Sequence, residues 1–122
     1  MSAPAAIAVV VVAHYSAATL RDCIDAVLAA EGVGEIVVVD NATRDGSIEA
    51  LEQVFAPEPR LRFVRNTDNV GFATACNQGA RTTRAPFLVF LNPDCIVEPA
   101  TLATMRALAL ARPDAGLVGA DV

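Results

Sequence analysis

Apolar and polar residues are arranged along the chain in blocks that predict alternating strands and helices. Short runs such as Ile7 to Ala13 and Phe87 to Leu91 have the length and the β-branched or aromatic content of strands. Longer segments with apolar residues at helical spacing follow and predict amphipathic helices. The predicted strands are Ile7 to Ala13, Glu35 to Val39, Arg60 to Arg65 and Phe87 to Leu91, with a fifth from Gly116 to Gly119. The predicted helices are Thr19 to Ala30, Ser47 to Phe55, Phe72 to Arg84 and Pro99 to Ala111.

The predicted strands differ in where their polar residues fall. The run Phe87 to Leu91 shows no alternation, which is typical of a strand that is covered on both faces in a parallel sheet. The run Arg60 to Arg65 instead carries arginines among its apolar residues. We therefore expect the third strand to lie at an edge of the sheet with one face in water.

Strands that alternate with helices through short connections predict one α/β domain over residues 1–122, built on an open, mostly parallel sheet. Right-handed crossovers give the strand order 3-2-1-4, with helices on both faces. The order reverses between the first and fourth strands, and ligands of such sheets bind at the carboxyl ends of the strands near that switch point. Residues expected around one crevice there are His14, Tyr15, Asp40, Asn41, Asn92, Pro93 and Asp94.

The charged residues restrict the chemistry that is available. The chain has 122 residues, a net charge of -5 and nine basic residues, and all nine are arginine. Mechanisms that need a lysine, such as those of a P-loop or a Schiff base, are therefore excluded. The acidic balance and the lack of a basic run argue against nucleic acid as a partner.

The cysteines and the first apolar run indicate in which cellular compartment the protein is expected. Cys23, Cys76 and Cys95 are odd in number and form no C-x-x-C pattern, which favours a reduced, cytoplasmic setting. No positive charge precedes the run that begins at Ile7, and this run is too short to span a bilayer, so we expect neither a signal peptide nor a membrane span. Peripheral attachment to the inner face of a membrane is left open.

Two aspartates come directly after predicted strands. Asp40 ends the second strand, and Asp94 follows Pro93, which lacks an N–H and stops the ladder of the fourth strand. A carboxylate at this edge can accept a hydrogen bond from a nucleobase imide or, beside a diphosphate, can hold a divalent ion such as Mg²⁺ or Mn²⁺. Two alternatives stay open: Asp40 as the cap of the following turn, and Asp94 as the residue that initiates the next helix.

Two other classes of α/β domain do not fit these residues. A nicotinamide-binding domain has a glycine-rich turn after its first strand, but His14 to Ala18 contains no glycine. A response-regulator-like domain would need an acidic pair at that place and a later lysine, and both are missing.

Three motifs, in this order, resemble those of the family 2 glycosyltransferases: Val37 to Ser47, Asn69 to Gly79 and Leu91 to Asp94. The last of them is particularly similar to the rhamnosyltransferase-like branch, and the resemblance spans nearly the whole chain. It implies a GT-A fold, which is Rossmann-like and binds a nucleotide-diphosphate sugar such as a UDP- or dTDP-sugar. It also implies inverting transfer of that sugar to a glycan or lipid-linked acceptor, in cell-envelope polysaccharide synthesis.

The resemblance also implies roles for individual residues. Asp40 would bind the pyrimidine base, the segment around His14 and Tyr15 would line the nucleotide, and Asp94 would ligate the metal ion, Mg²⁺ or Mn²⁺. Asn92 stands at the first position of the family's Asp-x-Asp motif, where it offers an amide in place of a carboxylate. The implied nucleotide-sugar site comprises His14, Tyr15, Asp40, Asn41, Asn69, Gly71 and Asn92, with Asp94 as the metal ligand.

The chain departs from the family pattern in length. Family members carry an acceptor-binding half, with its catalytic carboxylate, after the part that resembles this chain. No residue here matches that general base, so no catalytic residue is assigned. We therefore expect residues 1–122 to be a donor-binding half that binds nucleotide weakly and does not transfer sugar alone. The alternative is a noncatalytic nucleotide-binding or assembly module that forms a homo-oligomer through exposed apolar surface.

Overall fold

The computed structural model describes residues 6–112 together with residues 114, 116 and 119. Strands and helices alternate through the described residues, as predicted. The strands are β1 (Ile7–Ala13), β2 (Val33–Asn41), β3 (Leu61–Asn66) and β4 (Phe87–Leu91). The helices are α1 (Ala17–Leu28), α2 (Ser47–Val54), α3 (Phe72–Arg81) and α4 (Thr101–Ala111). The fifth strand predicted from Gly116 to Gly119 lies for the most part outside the described residues.

The four strands form one parallel sheet in the order β3-β2-β1-β4, which confirms the predicted order. Helices cover both faces, as expected. On one face, residues of α1, α2 and α4 pack on the sheet in a large apolar cluster, and on the other face α3 packs against β1 and β2. All seven residues of β1 are buried, because this strand has a neighbour on each side and helices above and below.

The prediction for β4 was wrong. It is an edge strand of the described sheet, and Leu88 and Phe90 are 41% and 49% exposed. The alternate residues Phe87, Val89 and Leu91 pack against the larger apolar cluster. One face is uncovered because α3 packs over the central strands β1 and β2, whose side chains it contacts. The prediction that β3 lies at an edge is confirmed.

Helix α3 packs closely on the sheet through small residues. A Cβ atom at Gly79 would lie 2.5 Å from a methyl carbon of Val10, so a larger residue could not occupy this position without a shift of the sheet or the helix. Ala75 and Cys76 are buried beside it. Phe72, the first residue of the helix, is by contrast 59% exposed.

Helix α4 packs through its first turns only. Leu102 is buried and Met105 packs against the larger apolar cluster, whereas Leu108, farther along the helix, is 54% exposed. Among the helices of the described part of the chain, none has the combination of length and hydrophobicity that is needed to cross a bilayer.

Candidate functional site

The predicted site residues all lie at or near the carboxyl ends of the strands, but they do not share one crevice. One open depression, of about 470 Å³, contains Asp94 and is called here the Asp94 depression; it is lined by Tyr15, Ser16, Ala18, Thr19, Asn92, Pro93 and Asp94. The other, of about 430 Å³, is called the Asp40 depression and is lined by Asp40, Ala42, Thr43, Arg44, Arg65, Asn66 and Thr67. The single crevice expected from the sequence is therefore corrected to two neighbouring depressions.

The loop after β1 lies between the two depressions. The backbone N–H of Tyr15 donates to Oγ1 of Thr43 at 3.0 Å, which joins a wall of one depression to a wall of the other. Tyr15 has a positive φ of 51°, a conformation that is unfavourable for a residue with a side chain and that occurs often at binding sites. Its ring is half exposed and packs edge-on against His14, with ring centroids 4.8 Å apart.

Asp40 is held on both of its carboxylate oxygens. Oδ1 accepts the backbone N–H of Thr43 at 2.9 Å, and Oδ2 accepts Nε–H of Arg65 at 3.0 Å. The residue is only 1% exposed. The alternative in which Asp40 caps the following turn is thus realised in the structure. Each oxygen keeps a further lone pair with which it could accept a hydrogen bond from a ligand.

Arg65 is a site residue that the sequence reasoning missed. Besides Asp40 it binds Glu52 through Nη1 and Glu49 through Nη2, each at 2.6 Å. Desolvation opposes the charge, but the hydrogen bond to Asp40 and the charges of Glu49 and Glu52 outweigh it, and the pKa of Arg65 is raised. Arg65 could have been found from the sequence, because it ends the predicted third strand as Asp40 ends the second. In the parallel register of β2 and β3 the two residues lie directly side by side.

Asn41 fixes the loop that precedes α3. Its Nδ2 donates to Oδ1 of Asn69 at 2.8 Å, and its Oδ1 accepts the N–H of Val70 at 2.9 Å. Oδ1 of Asn69 in turn accepts the N–H of Gly71, whose positive φ of 85° favours glycine. The three predicted site residues Asn41, Asn69 and Gly71 are therefore brought together, as parts of a loop anchor.

His14 is attached to the same anchor. Its Nδ1 lies 2.7 Å from the carbonyl oxygen of Asn41, so the proton of the neutral ring is on Nδ1. The remaining ring nitrogen, Nε2, is then an acceptor on an exposed residue. The structure therefore leaves His14 one free hydrogen-bonding position at this edge.

Asp94 differs from Asp40 in its exposure and in its hydrogen bonding. It is exposed, and no hydrogen bond or ion pair holds its carboxylate within the described residues. The alternative in which it initiates the next helix is wrong, because α4 begins at Thr101 after Ala100 at the N-cap. Among residues 6–112 and the three described beyond them, no group of three acidic, histidine or cysteine residues could hold a metal ion.

Cys23 and Cys95 support the turn that carries Asp94. The carbonyl oxygen of Asn92 accepts the N–H of Cys95 at 3.0 Å and the thiol of Cys23 at 3.7 Å. Burial, then the neighbouring Cys95 and Asp94, raise the pKa of the Cys23 thiol to about 11. The thiol is therefore protonated near neutral pH and acts as a donor to the turn.

Comparison with known proteins gives a family match and several relatives. The family model described as "Glycosyl transferase family 2" matches residues 8–120. The succinoglycan biosynthesis protein ExoO of Rhizobium meliloti (strain 1021) is 35% identical over 97 residues, which are 79% of this chain and 27% of ExoO.

Solved structures confirm the GT-A-like α/β fold. The mannosyltransferase PcManGT from Pyrobaculum calidifontis, in complex with GDP-Man and Mn²⁺, superposes with a TM-score of 0.78 at 25% identity over 88% of this chain and 33% of PcManGT. TarS 1-349 from S. aureus superposes with a TM-score of 0.75 at 18% identity over 87% of this chain and 32% of the 1-349 chain. The chain thus spans about a third, or less, of the length of the proteins it matches.

Proposed function

Because the chain belongs to glycosyl transferase family 2, we propose that the carboxyl edge of its sheet binds the nucleotide-diphosphate sugar that is the donor in sugar transfer. One observation carries the proposal: Asp94, which is exposed and unpaired among the described residues, lines one depression, and the preformed pair Asp40 and Arg65 lines the neighbouring one. A rigid polar pair suits recognition of a base, and a free carboxylate suits a metal-bound diphosphate.

The proposed donor lies across both depressions. Its base enters the Asp40 depression, where the remaining lone pairs of Asp40 accept an imide N–H, as a uracil or thymine ring offers. Its ribose and diphosphate pass the loop of His14 and Tyr15, with Asn92 donating to ribose. Asn41, Asn69 and Gly71 contribute by holding the wall of the site. PcManGT was solved with GDP-Man, so guanine is the main alternative to uracil or thymine as the base of the donor.

The residues of the Asp94 depression fit a divalent ion of the Mg²⁺ or Mn²⁺ type. These ions take few protein ligands and complete their coordination with waters and substrate phosphates, so one carboxylate on an accessible turn is a sufficient protein contribution. Asp94 is that carboxylate in our proposal, and PcManGT was solved with Mn²⁺. When bound, such an ion offsets the negative charge that develops on the departing nucleotide diphosphate.

The proposed reaction class is transfer of a sugar to a glycan or lipid-linked acceptor in polysaccharide synthesis. The name of ExoO, a succinoglycan biosynthesis protein, supports this acceptor class. We further propose a rhamnosyltransferase-like donor preference, inversion at the anomeric carbon, and residues 1–122 as a donor-binding domain. The groups that bind the acceptor and remove its proton would belong to the part of the longer relatives that this chain does not match.

Calorimetric titration with UDP, dTDP and GDP, each with and without Mn²⁺, tests the donor site. We expect one nucleotide to bind in a Mn²⁺-dependent manner and Asp94→Ala to abolish that dependence. Asp25→Ala is the matched control, because it removes an exposed carboxylate of α1 with the same change in net charge. Retained Mn²⁺ dependence in Asp94→Ala contradicts the assignment of the metal ligand.

A second candidate function is that of a noncatalytic assembly module. The observation in its favour is the exposed apolar face of β4, where Leu88 and Phe90 project from an edge strand. Binding of none of the three nucleotides, with or without Mn²⁺, would favour this candidate over the donor site.

A further inference from the structure

Arg65, which lines the Asp40 depression, is fully engaged by the protein. Its Nε donates to Asp40, and its two terminal nitrogens donate to Glu52 and Glu49. The two glutamates lie three residues apart on α2, a spacing that places them on the same side of the helix. Every nitrogen of Arg65 thus already binds a carboxylate, so this arginine holds Asp40 in place and offers little to a ligand.

Arg44 lines the same depression but keeps free hydrogen-bond donors. It extends from the loop after β2 to the loop after β3, where its Nη2 donates to the carbonyl oxygen of Thr67 at 2.6 Å. Within the described residues no other hydrogen bond and no ion pair holds its guanidinium, and the side chain is exposed. The nitrogens Nε and Nη1 of Arg44 are therefore available to a ligand of the depression.

The charges around the Asp40 depression favour a neutral ligand group. Arg65 carries one positive charge, but its ion-pair partners are three carboxylates, those of Asp40, Glu49 and Glu52. A phosphate placed beside this cluster would be repelled by the excess of negative charge. A nucleobase is neutral and offers both N–H and C=O groups. The depression therefore suits the base of a nucleotide better than its phosphates.

We propose that Arg44 is a specificity-determining residue that binds the base of the donor, an inference that rests on the proposed donor site. Its Nη2 stays on Thr67, and Nε or Nη1 donates to a carbonyl oxygen of the base while Asp40 accepts the ring N–H beside that carbonyl. Uracil, thymine and guanine each have a carbonyl group next to a ring N–H. Adenine has no carbonyl group, and the ring nitrogen of cytosine at this edge carries no hydrogen. Arg44 and Asp40 together thus select nucleotides of the first three bases.

Titrations followed by NMR test this role with UDP, dTDP and GDP and with their nucleosides uridine, thymidine and guanosine. Arg44→Met should weaken the nucleotide that binds best and its nucleoside by the same factor, about tenfold, because both contain the contacted base. Arg81→Met is the matched control and should leave both affinities unchanged. It makes the same change in charge at the last turn of α3, the end of that helix away from the carboxyl edge of the sheet.

A lysine at the same position separates hydrogen bonding from charge. Arg44→Lys keeps the positive charge, but a single ammonium nitrogen cannot hold Thr67 and the base through separate nitrogens, as a guanidinium can. We therefore expect Arg44→Lys to recover only part of the nucleoside affinity that Arg44→Met loses. Full recovery by lysine would overturn the proposed contact, because charge alone would then account for the effect.

The outcomes distinguish a failure of this inference from a failure of the donor site. A nucleotide that binds the unaltered chain and Arg44→Met equally well leaves the donor site standing and overturns the role of Arg44. A loss confined to the nucleotide, or a nucleotide that binds while its nucleoside does not, also overturns it, because the phosphates then carry the contact. A chain that binds none of the three nucleotides overturns the donor site and this inference together.

Discussion

Asp40 and Asp94 both follow a strand of the same sheet, yet the structure uses them in opposite ways. Asp40 is 1% exposed, and its two oxygens accept hydrogen bonds from Thr43 and Arg65. Asp94 is exposed and has no such partner within the described residues. The neighbours of a carboxylate at the end of a strand thus decide whether the fold holds it and leaves only spare lone pairs for a ligand, as at Asp40, or leaves the whole group open, as at Asp94.

The position of the strand in the sheet explains the difference. Strand β2 is flanked by β1 and β3, so Asp40 has Arg65 directly beside it in the register. Strand β4 has β1 on one side only among the described residues, and Pro93 turns the chain away before Asp94. The carboxylate of Asp40 is therefore held in one position and has fewer lone pairs left for a ligand, whereas the carboxylate of Asp94 keeps all of its lone pairs.

Removing the two carboxylates should therefore have very different effects on stability. Asp40→Ala should lower the free energy of unfolding by about 2–4 kcal/mol, since it leaves the N–H of the buried Thr43 without its acceptor and takes from the half-exposed Arg65 one of its three carboxylate partners. Asp94→Ala should change it by no more than about 0.5 kcal/mol. Urea unfolding of both variants measures this. Equal losses would show that the contrast between the two aspartates is wrong.

The neighbouring amides offer a second, smaller contrast. Asn41→Ala removes the bonds to Asn69 and Val70, so we expect a loss of about 1–3 kcal/mol and faster hydrogen exchange at the amides of Val70 and Gly71. Asn92→Ala, at the exposed end, is the control and should cost no more than about 0.5 kcal/mol. Unchanged exchange at Val70 in Asn41→Ala would argue against Asn41 as the anchor of this loop.

The last prediction concerns the thiol of Cys23, which lies beneath the exposed turn and affects stability only at alkaline pH. The pKa of Cys23 is raised from its ordinary value of 9.0 to about 11, by burial first and then by Cys95 and Asp94. The folded state therefore holds this proton more tightly, and the resulting stabilisation is present below pH 9 and lost as the pH rises towards 11.

Alkylation by iodoacetamide tests whether this thiol is buried and protonated in the folded chain. At about pH 8 Cys23 should react at least roughly a hundredfold more slowly in the folded chain than in urea, because only the thiolate is the nucleophile and because burial also shields the thiol from the reagent. Asp94→Asn should raise the folded rate slightly, since it removes one of the smaller contributions to the pKa shift. Peptide mapping separates Cys23 from Cys76 and Cys95. A folded rate equal to the rate in urea would contradict the buried, protonated thiol.

The sequence predicted much of this fold because apolar runs and helical spacing report local structure. The bounds of β1 and β4 and the strand order 3-2-1-4 were predicted correctly. The exposure of β4 was not, because five consecutive apolar residues look the same whether or not a helix covers their second face. Exposure depends on where α3 packs, and the small residues of α3 do not encode that position.

For the candidate site, the sequence predicted where the residues lie but not which partners they contact. The residues that gather at the carboxyl edge follow from the topology alone, since every strand of a parallel sheet ends there. Their partners do not follow as easily, because Arg65 lies far from Asp40 in sequence and becomes its neighbour only through strand register. The two depressions were missed for the same reason: the contact of Tyr15 with Thr43 joins two loops that sequence patterns describe separately.

The most direct test of the account is the effect of Mn²⁺ on nucleotide affinity in the chain and in Asp94→Asn. For the nucleotide that binds best, Mn²⁺ should increase the affinity of the unaltered chain by at least about tenfold, and in Asp94→Asn this gain should vanish while the free energy of unfolding stays within about 0.5 kcal/mol. An undiminished gain in Asp94→Asn, or a loss of stability as large as that of Asp40→Ala, would contradict the assignment of Asp94 as the free, ligand-binding carboxylate.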